Sequence, residues 1–169
     1  MTLTTEAGLP GGEPGAGTVG FAPEEVDLSL STRAARLKWV LVVDEALPPG
    51  RAANAAVCAA APTATQVAHL LGVDVTDAEG AVHPALPWVG CTILAADQAT
   101  LRTIRTKAAA APGTFVADMP ALAQSTNVYD DYRAAMGKAG ADDIDYCAIS
   151  IVGPRNRVNR LVGKLPLMS

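Results

Sequence analysis

Five residues have types and placements that could do chemistry: Asp44, Arg51, Asn54, His83 and Asp118. Asp118 follows the short apolar run Thr114–Ala117 and so closes an expected strand. A carboxylate there would serve as a general base if burial raised its pKa. The same position equally suits the N-cap of a helix from Ala121 onward. Asn54 is the one polar side chain interrupting RAANAAVCAAA, Arg51–Ala61. A buried amide needs partners, here either a ligand or the facing backbone. Arg51 sits in the first turn of that helix, where a cation opposes the helix dipole; an anionic ligand, or a carboxylate such as Asp44, would balance it. His83 can titrate near neutrality and act as acid or base, but it lies in a Gly- and Pro-containing loop where a lone histidine is ordinarily just exposed. The histidines and cysteines show no metal-ligand spacing. GxSxG, P-loop and GxGxxG patterns are absent, so neither a metal nor a cofactor is expected.

The elements that must position these side chains are legible around Lys38–Pro49, KWVLVVDEALPP. An unbroken apolar run ending in Asp44–Glu45 and a Pro-Pro-Gly breaker predicts a buried strand and a tight turn. The alanine-rich stretch after it predicts a helix. Ligands of α/β proteins gather at the carboxyl ends of such strands. Gly90–Ala96, Thr114–Ala117 and Asp145–Val152 predict three further strands, and helices are expected from Asp97, from Ala121 to Gly137, and after Gly153–Pro154. Strand–helix alternation without a repeat predicts a three-layer α/β/α sandwich over a mixed, mostly parallel sheet of about four strands. Residues 1–31, rich in Gly, Pro, Thr and Glu, predict a flexible tail with Val26–Leu30 as its segment able to dock on the body, leaving 32–169 as a single α/β domain.

Composition bounds the function. The 169 residues are 50% hydrophobic and only 18% charged, against roughly 25% charged in ordinary domains, which predicts a compact core. No apolar stretch approaches a membrane span, and Glu6 without an early basic cluster argues against a secretory signal. Three scattered cysteines in apolar surroundings, Cys58, Cys91 and Cys147, fit reduced, buried thiols in a cytoplasmic protein. A net charge of −4 argues against avid nucleic-acid binding. The charge is uneven, however: after Asp145 the chain has no acid, but it has Arg155, Arg157, Arg160 and Lys164. That basic end is either a solvated face or an anion site for phosphate or RNA backbone.

KWVLVVDEALPPG, a helix ending AAVC, CTILAADQATL, FVAD and CAISIVGPRNRVNRLVGKLPL together resemble the type II peptidyl-tRNA hydrolases, over about Leu37 to Met168. Asn54, DAEGAVHP, ADMPALAQSTNVYDDY and GPRNRVNRLVGKLPL make the chain still more similar to a bacterial branch of that superfamily, domain of unknown function 2000. The resemblance implies a peptidyl-tRNA hydrolase II-like fold and a homodimer. Gln124, Tyr129 and Tyr132 match the branch's motif, which brings Gln124 and Tyr129 into the candidate site, and Asp118 has a counterpart in the hydrolases' acidic residue. Two hydrolase positions are emptied: the functional lysine falls on Ala53 and the glutamine before the cysteine on Val57.

The leading expectation is therefore a small hydrolase-like acid/base enzyme acting on a carbonyl or carboxylate. In it Asp118 is the base, Arg51 and Asn54 orient the substrate, His83 or Tyr129 closes the site, and Asp44 and Gln124 assist. A non-catalytic module for a small anion or a protein is the second, and peptidyl-tRNA hydrolysis, with Arg51 replacing the lysine, the third.

Overall fold

The computed structural model of the chain describes residues 18–169. Leu37–Asp44 forms β1, Pro49–Gln66 α1, and Cys91–Ala96 β4; Val75–Thr76 (β2) and Val82–His83 (β3) make a small hairpin between the last two. Gln98–Ala109 (α2), Phe115–Pro120 (β5), Ala121–Ser125 (α3), Tyr129–Met136 (α4), Tyr146–Pro154 (β6) and Arg155–Val162 (α5) follow. Three prolines shape these boundaries. Pro49 opens α1 at a position that needs no N–H donor. Pro62 lies inside α1 without ending it. Pro120 ends β5 where the ladder to β6 slips.

The main sheet has the order β4-β1-β6-β5. β1 pairs with β4 in parallel, with Val42 opposite Leu94, and with β6 antiparallel, with Leu41 opposite Ser150. β5 and β6 are also antiparallel. The sheet is thus mixed and mostly antiparallel, which corrects the expectation of a mostly parallel one. The connection from β5 to β6 contains helices, but it returns the chain at the edge where β5 ended instead of crossing over the sheet. A helix between two strands permits a parallel crossover without enforcing one.

Helices cover both faces, in three layers. Val40, Val42, Ile149 and Ile151 pack against Leu101 and Ile104 of α2 and Val158 and Val162 of α5. Leu41, Val43 and Ala148 pack against Ala52, Ala55, Ala56 and Ala59 of α1 on the other face. The small side chains of α1 let its backbone approach the sheet closely. A third cluster, at the amino end of β1, joins Leu37, Trp39, Val67, Leu70 and Val89 to Phe21.

Phe21 is only 2% exposed, and Glu25 forms an ion pair with Arg36 at 2.7 Å. Within the expected flexible tail, Val19, Phe21 and Val26 pack into the third cluster, whereas residues 27–34 are exposed. Residues 1–17 of that expected tail lie outside the described residues. The span expected as one helix from Ala121 to Gly137 is broken at Thr126–Val128 into α3 and α4. At the carboxyl terminus, Pro166 and Met168 hydrogen-bond to β4, extending that edge. No helix among the described residues is long and apolar enough to cross a membrane.

Candidate functional site

Although β6 runs against its neighbours, β1, β4 and β5 all point the same way, so their carboxyl ends share one edge of the sheet. α1 leaves β1 there and α3 leaves β5 there, and their first turns meet. Arg51 Nε donates to Gln124 Oε1 at 2.7 Å. Gln124 Nε2 donates back to the Arg51 carbonyl at 3.0 Å and to Asn54 Oδ1 at 3.3 Å. Arg51, Asn54 and Gln124 thus form one bracket. Asn54 is exposed, not buried among the alanines as its surroundings suggested. The Nη groups of Arg51 have no hydrogen-bond partner among the described residues, so the guanidinium is oriented through Nε with its outer face open.

Beside the bracket runs a cleft of about 520 Å³ between α1 and α3–α4, lined by Cys58, Asp118, Met119, Thr126, Tyr129 and Tyr132 among others. Cys58 follows Asn54 by one helical turn and Ala123 precedes Gln124 on α3, so cleft and bracket share both helices. The two tyrosine rings are edge to face with centroids 5.6 Å apart. Burial raises the Tyr132 hydroxyl above its ordinary pKa, with the Asp118 carboxylate adding to the effect.

Asp118 is placed differently from expectation. It lies inside β5, not after it, and its Oδ2 accepts from Arg105 Nε of α2 at 3.0 Å. Arg105 in turn lies over the Tyr146 ring at 5.8 Å. Asp118 is among the residues lining the tyrosine cleft, but its carboxylate is held by a cation of the opposite helix layer, and Asn54 does not line that cleft. Strand alternation is the reason: Asp118 shares its face with Val116, which packs toward α2. Asp118 and Asn54 therefore do not form the single pocket expected of a base and its orienting amide. Neither does Asp118 cap α3, whose N-cap is Pro120.

Asp44 is buried at the end of β1 on the α2 side. It accepts from the Ala46 N–H at 3.0 Å and from Gln98 Nε2 at 2.8 Å, while the Gln98 amide also bonds both backbone groups of Tyr146. Asp44 thus ties β1 to α2 and β6 and forms no ion pair with Arg51. His83 is exposed on β3 and faces Asp77 Oδ2 at 3.3 Å, within its own hairpin and outside the cleft. Tyr129 is exposed at the cleft mouth. No group of His, Cys, Asp or Glu among the described residues could hold a metal ion. Tyr132, which shares the family motif with Gln124 and Tyr129, lines the cleft, and Cys58 joins it there without having been expected as a site residue. The spacing of Arg51, Asn54 and Cys58, three then four residues apart, was the available signal for one helix face.

A four-stranded mixed sheet between helix layers, with an arginine bracket at the shared strand ends, defines a small α/β domain with one polar edge. The chain belongs to the family described as protein of unknown function (DUF2000), which matches residues 37–169. Its fold is similar to the solved structure of a protein of unknown function from Agrobacterium tumefaciens strain C58. The TM-score is 0.73 at 16% identity, over 79% of this chain and 98% of that one. Comparison with curated proteins returns no match.

Proposed function

We propose that the protein is a binding module for a small carboxylate with an apolar or aromatic body, built on a peptidyl-tRNA hydrolase II-like scaffold. The carrying observation is the bracket at Arg51. Gln124 fixes the guanidinium through Nε and leaves the Nη face for a planar anion, the geometry in which arginine binds carboxylates in pairs of hydrogen bonds. The body of the ligand lies along Tyr129 and Tyr132 in the adjoining cleft, whose 520 Å³ is of the size that holds small molecules. Binding is favoured over acid/base catalysis because the one acidic residue lining the cleft, Asp118, has its carboxylate engaged by Arg105. The scaffold assignment rests on the sequence stretches shared with the hydrolases, and the homodimer goes with it, checked by light scattering. Ala53, in place of the hydrolase lysine, removes the charge that peptidyl-tRNA cleavage would need.

Phenylacetate is a suitable probe. Titration followed by amide chemical shifts should move the first turns of α1 and α3, and Arg51→Gln should weaken binding about tenfold, the loss of one charge-assisted pair. Phenylacetate shifts confined to other surfaces, or an affinity indifferent to Arg51, would refute the reading. Turnover of phenyl acetate ester that disappears in Asp118→Asn would establish the acid/base enzyme instead.

A further inference from the structure

On the opposite helix layer, α2 and α5 enclose a groove of about 930 Å³. Its floor is apolar: Ile104 of α2 with Leu161 and Leu165 from α5 and the residues after it. Its rim carries Lys107, Arg157, Arg160 and Lys164, and one acid, Asp97. Asp97 is already used, since its carboxylate caps α2 by accepting from the Thr100 N–H at 2.7 Å.

Of the other cations, Arg36, Arg102, Arg105 and Arg133 pair with Glu25, Asp145, Asp118 and Asp130, while Arg33, Lys38, Arg51, Lys138 and Arg155 form no such pair among the described residues. The four around the groove have no carboxylate partner among the described residues. Arg157 is steadied by donating to the Pro112 carbonyl at the end of α2, which holds its charge over the groove. In a protein of net charge −4, four unpaired cations facing one cavity repel one another, and a bound anion removes that repulsion. Arg155, by contrast, turns away and donates to the Ala35 carbonyl. The basic end of the sequence is therefore not one uniform solvated face.

We propose that the α2–α5 groove binds a phosphate monoester carrying an apolar group. The apolar floor calls for a hydrophobic body. The number of cations calls for more negative charge than one carboxylate brings, and a monoester near pH 7 carries about −1.5 to −2. Two arginines among the four suit the tetrahedral oxygens of phosphate. This site is separate from the Arg51 bracket and does not depend on the function proposed for it.

The test is titration of the full chain with 1-naphthyl phosphate, alongside inorganic phosphate and 1-naphthol, followed by calorimetry and amide shifts. The expected result is binding of 1-naphthyl phosphate at least about tenfold tighter than either half alone, a gain of 1.4 kcal/mol or more, with shifts in α2 and α5. Arg160→Glu with Lys164→Glu should abolish it while leaving the unfolding temperature and the phenylacetate shifts in place. Should that double variant unfold, Lys107→Gln, on the other wall, reports the same loss. Equal affinity for phosphate and its naphthyl ester, binding unmoved by charge reversal, or shifts outside α2 and α5 would overturn the proposal. So would a short single-stranded RNA that binds the groove more tightly than the ester, which would make it a nucleic-acid surface.

Discussion

The hydroxyls of Thr63 and Ser150 meet at 2.7 Å inside the α1–sheet interface, where both residues are fully buried. Thr63 also donates to the Ala59 carbonyl one turn back, and Ser150 accepts from Trp39 Nε1 at 2.9 Å. Because Thr63 Oγ1 spends its proton on Ala59, Ser150 is the donor between the two hydroxyls. The result is a closed chain from indole N–H to helix carbonyl in which each donor has one acceptor.

Ser150→Ala leaves the indole N–H buried without an acceptor, and Thr63→Val leaves the Ser150 hydroxyl proton without one. Each should cost about 1–3 kcal/mol, the range for a buried unpaired group. The double variant orphans only the indole, so its cost should fall clearly short of the sum of the singles. Denaturant unfolding of the four proteins measures this; strict additivity would show that the two hydroxyls are not coupled.

Phe21 should behave as core although it precedes the first strand. It packs on Trp88 with centroids 4.7 Å apart and is 2% exposed. Phe21→Ala should cost about 3 kcal/mol, at the low end for a buried phenylalanine, lowering the unfolding temperature by roughly 6–12 °C in a domain of this size. An unchanged melting curve would return residues 18–31 to the status of a dispensable tail.

Glu25 gives that docked segment an acid sensitivity. Hydrogen bonds from Arg36, and then from the Ala22 N–H, hold its carboxyl at about 2 against an ordinary 4.5. The folded pKa lies below the unfolded one, so the contribution is complete above about 4.5 and is lost as pH falls toward 2. Arg36 is more than half exposed, and solvent screening keeps the contribution small. Glu25→Gln should therefore be less stable than the parent at pH 6, with the gap closing by pH 2. A gap that stays constant with pH would mean that the ion pair contributes nothing to folding.

Of the three thiols, Cys58 should be the one that reacts in the native state. It is exposed in the tyrosine cleft. Of the three cysteines expected to be buried only Cys147 is, since Cys91 is exposed as a residue as well, but desolvation pushes the Cys91 thiol up to about 12 and burial raises that of Cys147. A thiol so raised holds almost no thiolate near pH 8 and is correspondingly unreactive. Brief alkylation at pH 8 followed by peptide mass spectrometry should find the label on Cys58, and phenylacetate should slow it. Labelling of Cys91 at an equal rate would contradict the environment described for it.

The sequence by itself determined where β1, β4 and β6 lie, because long apolar runs between breakers leave few alternatives to a buried strand. It also determined that α1 would begin at the carboxyl end of β1 and carry Arg51 and Asn54 there, since the Pro-Pro-Gly turn and the alanines are local signals. The direction of β6 was not legible: a strand buried on both faces has the same composition whichever way it runs, and only the path of α3–α4 along one edge makes it antiparallel. The fate of Asp118 was not legible either. A carboxylate near a strand end becomes a cleft base or half of an ion pair according to which face it occupies and what stands opposite. Arg105, thirteen residues earlier in the chain, is brought there only by the packing of α2 on the sheet. Gln124 is the converse case. Seventy-three residues of chain separate it from Arg51, and the two meet because β1 and β5, though not neighbours, end at the same edge.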